Sequence, residues 1–313
     1  MTTLDMPVAD HPVLNPFALR FQTRPMLDLR NTITQWLFIG ATGGCVLGRA
    51  QIGKTTAVQW LRDGLKDRTG RTIVSHLVIM PPRDVGSVTS LYRLCCLSAD
   101  LPVATRDRAD HLQSKFVDFL RQITAQAEAR SVTLFVDEMQ RLTLRQLEAF
   151  CELHDVLRWK YGIRLVVIFI GNDQECSPLL ERLKSDSCAH VAGRFFRHMT
   201  RYHGLKHAGE LRELLGQYDT CTAGVKTYTE FFISDAYNKG FRLVTLADYV
   251  WQEYQVYRRK LKIDSWGMGS AIAAVNTLLT DYLPNHDLER LPAEVIQACL
   301  DVSGITDTLV RFR

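Results

Sequence analysis

The sequence predicts an α/β protein: a parallel sheet sandwiched by helices, followed by a helical C-terminal lid. Three observations carry this. From Val46 to about residue 202, short apolar runs alternate with helix-period patterns, the signature of a parallel sheet covered on both faces. A glycine-rich octapeptide stands between the first apolar run and a helix start. Beyond about residue 202 no convincing strand pattern recurs, and the remainder reads as helical.

In chain order, residues 1–35 carry four prolines and no sustained periodicity, so they read as an N-terminal arm. Gly44-Cys45-Val46-Leu47 is the first strand, and Thr56 to Leu61 begins a helix. Thr72 to Met80 is a strand stopped by Pro81-Pro82. Leu112, Phe116, Phe119, Leu120, Ile123 and Ala127 fall at helical spacing. Val132 to Val136 is the next strand. Leu147, Phe150, Leu153 and Leu157 mark a helix that Gly162 ends, and Arg164 to Ile170 is a further strand. The expected division is an arm at 1–35, an α/β domain at 36–203 that holds the glycine-rich octapeptide, a helical lid at 204–263 and a partner-binding extension at 264–313. No internal repeat or low-complexity tract is present.

Composition sets the outer bounds. Of 313 residues, 46% are hydrophobic and 23% charged, ordinary for a soluble globular chain. No apolar run approaches the roughly 18 residues that a membrane span needs, and the first twenty residues lack the pattern of a secretory signal. The eight cysteines are scattered without a C-x-x-C pair, which argues against a zinc site or a disulfide framework. They read as reduced thiols of a cytoplasmic protein. A net charge of +4 permits contact with nucleic acid without demanding it.

Chemistry begins at Gly48-Arg49-Ala50-Gln51-Ile52-Gly53-Lys54-Thr55, which fits the phosphate-loop pattern G-x-x-x-x-G-K-[ST] and sits between a strand and a helix. Gly48 and Gly53 let the backbone wrap a phosphate, so that consecutive N–H groups point inward. Lys54 supplies a charge for the β- and γ-phosphates, Thr55 a hydroxyl for Mg²⁺, and Thr56 opens a helix whose N-terminus adds partial positive charge. ATP and Mg²⁺ are therefore the expected cofactors.

Leu134-Phe135-Val136-Asp137-Glu138 ends a strand in two acids, one strand–helix unit beyond the phosphate loop. That position lets Asp137 support the Mg²⁺ shell and Glu138 polarise the attacking water. Asn172, after the strand 165–170, is placed to bond the γ-phosphate or orient that water. Arg194, in Ala192-Gly193-Arg194-Phe195-Phe196-Arg197, can serve as a finger projecting into a neighbouring subunit's ATP, with Arg197 a lesser candidate. In the helical part, Arg242 precedes an amphipathic run (Leu243, Leu246, Ala247, Val250, Trp251) and is a candidate lid arginine.

Together these segments resemble the AAA+ ATPases, and within them the transposition regulators of the TniB/TnsC type. The likeness covers roughly residues 15–260, and Gly193-Arg194-Phe195 resembles the family's S-R-F or N-R-F. The resemblance implies an ATPase that assembles as rings or filaments on double-stranded DNA, linking a target-selection protein to a transposase. One departure is Arg242, where the family's lid often carries small residues. For DNA contact, two exposed loops suit backbone binding: Arg83 to Ser87, and Thr105-Arg106-Asp107-Arg108. Arg83, Arg106 and Arg108 are the candidate residues. Arg258-Arg259-Lys260-Leu261-Lys262 is the densest basic run. Competing readings are a helicase loader or replication initiator of the same superfamily, and a nucleotide-switched signalling ATPase, whose loops Gln51 to Thr56 also resemble.

Overall fold

The structure, a computed structural model, describes residues 7–15, 19, 21–82 and 86–305, without the side chain of Glu289. The chain divides into two compact units, one of residues 28–50 with 54–202, the other of 1–27 with 51–53 and 203–313.

In the first unit, α1 (Arg24–Phe38), of which residues 28–38 belong here, leads to β1 (Gly43–Gly48), α2 (Lys54–Gly64) and β2 (Val74–Ile79). There follow α3 (Val88–Ser98), α4 (Ala109–Gln126), β3 (Ser131–Asp137) and α5 (Leu144–Asp155). The unit closes with β4 (Arg164–Asn172), α6 (Ser177–Arg182), α7 (Ala189–Phe195) and β5 (Met199–Arg201). The strands form one five-stranded sheet in the order β2-β3-β4-β1-β5, every pair parallel. Strands β3 and β4 are buried along almost their whole length, as central strands covered on both faces must be. Helix α4 turns Leu112, Phe116 and Leu120 inward at four-residue spacing. Helix α5 starts on a capping box in which Thr143 and Gln146 satisfy each other's end of the first turn.

Several elements differ from the sequence expectation: α3 is a helix that no residue pattern marked, and α1 and β5 were likewise missed. Most of α1 falls in the stretch 1–35 read as an arm, and its Trp36 lies so close on β1 that a Cβ on Gly44 would stand 2.3 Å from its ring. The four prolines at 7, 12, 16 and 25 hid this helix, although Pro25 falls in its first turn, where proline is tolerated. Strand β5 has only three residues, too few for periodicity to reveal.

The second unit is mainly helical: α8 (Ala208–Tyr218), α9 (Tyr228–Phe232), α10 (Ser234–Asn238), α11 (Ala247–Leu261), α12 (Met268–Thr277) and α13 (Ala293–Val302). A hairpin of two-residue strands, β6 (Thr222–Ala223) and β7 (Lys226–Thr227), is its one small sheet among the described residues. The core holds Tyr254 of α11 stacked on Trp266, with ring centroids 4.5 Å apart. Helices α8, α11, α12 and α13 all contribute buried side chains to one cluster. Packing therefore does not separate 204–263 from 264–305. Val13 and Phe21 of the N-terminal segment are buried in the same cluster, with Phe21 4.5 Å from Tyr218.

Candidate functional site

In the α/β unit the chemistry-bearing residues gather at the C-terminal ends of β1, β3 and β4, the edge where open α/β sheets hold their ligands. Strand register fixes this. Gly48, which opens the phosphate loop, pairs with Asn172 at the end of β4, and the Asp173 N–H donates to the Gly48 carbonyl at 3.3 Å. Strand β3 lies on the other side of β4 and ends in Asp137.

The loop bends through two left-handed residues, Gln51 (φ +57°) and Gly53 (φ +98°). A side chain is disfavoured at the second, so the glycine there has a conformational reason. Along the loop Ile52 is buried, while Ala50 and Gln51 are exposed and Arg49 is half-buried. Helix α2 starts at Lys54. The Lys54 ammonium donates to the carbonyls of Gly48 at 2.8 Å and Arg49 at 2.6 Å. Burial pushes its pKa down, and the nearby carboxylates of Asp137, Glu138 and Asp173 oppose that shift.

Thr55 Oγ1 donates to Asp137 Oδ2 at 2.6 Å, whereas Thr56 is turned outward. Asp137 is only 1% exposed and also accepts from the Glu138 N–H at 2.8 Å. A hydroxyl and one carboxylate joined in this way fit Mg²⁺, which takes its remaining oxygens from phosphates and water. Among the described residues no cluster of three or more His, Cys, Asp or Glu side chains forms a separate metal site.

Glu138 occupies the left-handed region at φ +62°, sparsely populated for a residue with a side chain and frequent where chemistry is done. Its Oε2 accepts from Gln140 Nε2 at 2.6 Å and lies 3.2 Å from the Arg141 guanidinium. Arg141 in turn donates to the Met80 carbonyl at the end of β2. Asn172 is buried; its Nδ2 donates to Glu175 Oε1 at 2.9 Å and its Oδ1 accepts from the Gln174 N–H at 3.1 Å. Beneath this edge Cys45, Cys176 and Met139 pack together, and burial raises the Cys176 thiol to about 12.

The structure thus brings Lys54, Thr55, Asp137, Glu138 and Asn172 to one edge. Arg194 is placed differently. Its guanidinium donates to the Cys151 carbonyl at 2.9 Å and meets Asp155 at 2.8 Å, both near the C-terminal end of α5. Burial alone would raise the Asp155 pKa, yet the bonds from Arg194 and His154 hold it below its usual range. Arg197 is exposed. In the helical unit, Arg242 donates to the carbonyls of Tyr237 at 2.9 Å and Phe241 at 2.7 Å, and lies 3.6 Å above the Tyr237 ring. Those contacts make it a C-terminal cap of α10.

Of the DNA candidates, Arg83 lies outside the described residues. Arg106 and Arg108 are exposed on the loop before α4. Between them Asp107 accepts from the Ala104 N–H and bonds Lys115 and His111, which holds its carboxyl down to about 2. Arg93 fastens the same loop through the carbonyls of Ala104 and Thr105. Among the described residues, the acid between the two arginines is therefore engaged elsewhere.

Sequence reading missed Gln140, Arg141, Asp155 and Glu175, each of which bonds a candidate residue. Gln140, Arg141 and Glu175 lie within three positions of the Asp137-Glu138 and Gly171-Asn172 strand ends. Polar residues clustered there were the available signal; Asp155 gave none.

A parallel sheet with a phosphate loop after β1 and an acidic pair closing β3 defines a P-loop ATPase of AAA+ fold. Residues 39–180 match the family model described as an AAA domain. No curated protein matches the chain. Among solved structures, the Walker-type ATPase of Pyrococcus abyssi is 12% identical with a TM-score of 0.50, over 94% of this chain and 77% of that one. A structure of Drosophila ORC bound to DNA is 14% identical with a TM-score of 0.50, over 92% and 71%. The Aeropyrum pernix ORC2 protein is 15% identical with a TM-score of 0.49, over 91% and 68%. At these identities the likeness concerns the fold. Among the described residues no helix is long and apolar enough to cross a membrane.

Proposed function

We propose that this ATPase assembles on double-stranded DNA in an ATP-dependent way and regulates transposition, linking a target-selection protein to a transposase. The observation that carries its ATP-dependent part is the constellation at the strand ends, Lys54 and Thr55 beside Asp137, Glu138 and Asn172. Lys54 and the loop amides bind the triphosphate. Thr55 and Asp137 are the residues that would hold Mg²⁺, which neutralises charge on the β- and γ-phosphates when bound. Glu138 accepts a proton from the attacking water, and Asn172 orients that water or bonds the γ-phosphate. Arg194 acts across a subunit interface, for which it must leave Asp155. Arg242 would likewise have to leave its cap on α10 to meet the γ-phosphate. Arg106 and Arg108 contact DNA phosphates without reading sequence. The transposition assignment follows the resemblance carried by Gly193-Arg194-Phe195 and the ordered motifs.

A second reading, a replication initiator or helicase loader, is favoured by one observation: a solved structure of the same fold is ORC bound to DNA. The test of the DNA-assembly reading is electron microscopy of the purified protein with an ATP analogue, with and without plain duplex DNA. Rings or filaments on DNA are expected. Particles indifferent to DNA would point to a signalling switch instead.

A further inference from the structure

Gln140, in the turn after β3, is held through both ends of its amide. Nε2 donates to Glu138 Oε2 at 2.6 Å and to Glu175 Oε2 at 3.2 Å, while Oε1 accepts from the Asn172 N–H at 3.3 Å. Glu175 Oε1 accepts from Asn172 Nδ2 at 2.9 Å, which closes a ring of hydrogen bonds between the ends of β3 and β4. Chemistry fixes the amide's orientation, since the flipped form would set its oxygen against two carboxylates and its N–H groups against an N–H.

Neighbouring residues are shaped around this amide. A Cβ on Gly171 would stand 3.1 Å from Gln140 Oε1, 2.6 Å from Met139 Cγ and 2.3 Å from Cys176 Sγ. Glycine therefore lets the Met139–Gln140 turn lie against the end of β4. The carboxylate of Glu138 is reached on its Oε2 by Gln140 and Arg141, so these two donors set its direction.

We propose that Gln140 is a positioning residue for hydrolysis, tying the Glu138 carboxylate to the end of β4 so that the base's orientation follows the state of Asn172. Both N–H groups of the amide are committed to carboxylates, and one of these carboxylates is also bonded by Asn172. When Asn172 turns toward a γ-phosphate it releases Glu175, and Gln140 passes that change to Glu138. The proposal rests on Glu138 being the base and deepens that reading.

The experiment compares steady-state hydrolysis, ATP-analogue affinity and thermal melting for Gln140→Ala, Gln140→Glu, Asn172→Ala, the Gln140→Ala/Asn172→Ala pair and Glu138→Gln. Gln140→Glu keeps size and the acceptor for Asn172 but replaces a donor with negative charge facing two carboxylates. We expect kcat to fall about tenfold or more in both Gln140 variants, the scale of a catalytic group displaced by about 1 Å. KM and analogue affinity should stay within about twofold, a split that a loosened fold would not produce. The double variant should be no slower than the slower of its two parents, because both act through one ring. Should either Gln140 variant fail to fold, Gln140→Met, similar in length and apolar, takes its place. Unchanged kcat in the folded Gln140 variants, or effects that multiply with those of Asn172→Ala, overturns the proposal. If Glu138→Gln itself hydrolyses ATP normally, the base assignment fails instead, which separates the two claims.

Discussion

The α/β unit and the helical unit spend their polar residues differently. In the first, Asp137, Asn172 and Lys54 are buried or half-buried at the strand ends and face one edge. Asp137 is bonded by Thr55, Asn172 to Glu175 and Lys54 to the Gly48 and Arg49 carbonyls. In the second, buried large side chains stack on one another, as Tyr254 does on Trp266, and Arg242 caps a short helix. Burying ionisable groups costs stability unless they are paired, so their concentration at one edge marks that edge as a place kept for chemistry. The helical unit buries Glu210 too, but there the carboxylate accepts from the Lys206 N–H just before α8, a structural use.

Substitutions should divide along that line. The largest effect is expected for Lys54→Ala, which removes the charge facing the triphosphate. Nucleotide affinity should fall at least about 100-fold, since hydrogen bonds to charged groups carry about 1.5–3 kcal/mol each. Thermal stability should change little, because the folded unit already disfavours that buried ammonium. Retained affinity in a direct binding titration would remove the phosphate-loop assignment. Glu138→Gln should bind ATP normally yet lose about 10²- to 10⁴-fold in turnover, the usual contribution of a general base; an ordinary hydrolysis rate would place the base elsewhere.

Trp266→Ala should act in the opposite manner, lowering stability by about 3–5 kcal/mol as a large core side chain is lost. Calorimetry would read this directly, and an unshifted melt would show that the stacked pair is not the core of its unit. A smaller effect is expected for Arg194→Ala, which should weaken nucleotide-dependent assembly more than nucleotide binding. Mixed with Lys54→Ala protein it should recover part of the ATPase activity at hybrid interfaces. No recovery at any ratio, with both proteins folded, would restrict Arg194 to its bonds with Asp155 and Cys151.

Legibility followed from how locally each feature is specified. The phosphate loop and the Asp137-Glu138 strand end are short runs whose chemistry needs adjacent residues, so the sequence displays them. Strands β3 and β4 were readable because central strands of a parallel sheet are continuously apolar. Helix α1 was obscured by the prolines before it and in its first turn, and β5 is shorter than any periodic signal. The ring through Gln140 and Glu175 joins residues 35 positions apart, and only the β3–β4 pairing brings them together. Likewise, the engagement of Arg194 by Asp155 depends on where α5 ends relative to α7. Such pairings are properties of the packed sheet, and one strand's pattern does not contain them.

The most direct test of the central claim is duplex DNA binding measured against salt concentration, with an ATP analogue and without nucleotide. Binding should require the nucleotide, because few phosphate contacts per protomer make a lone copy weak and assembly multiplies them. Affinity should fall steeply with salt and vary little with sequence. Replacing Arg106 and Arg108 by alanine should lessen the salt slope by up to about two per protomer while leaving nucleotide affinity intact. Salt-insensitive binding, strong preference for one sequence, or no DNA binding in the presence of nucleotide would contradict the account.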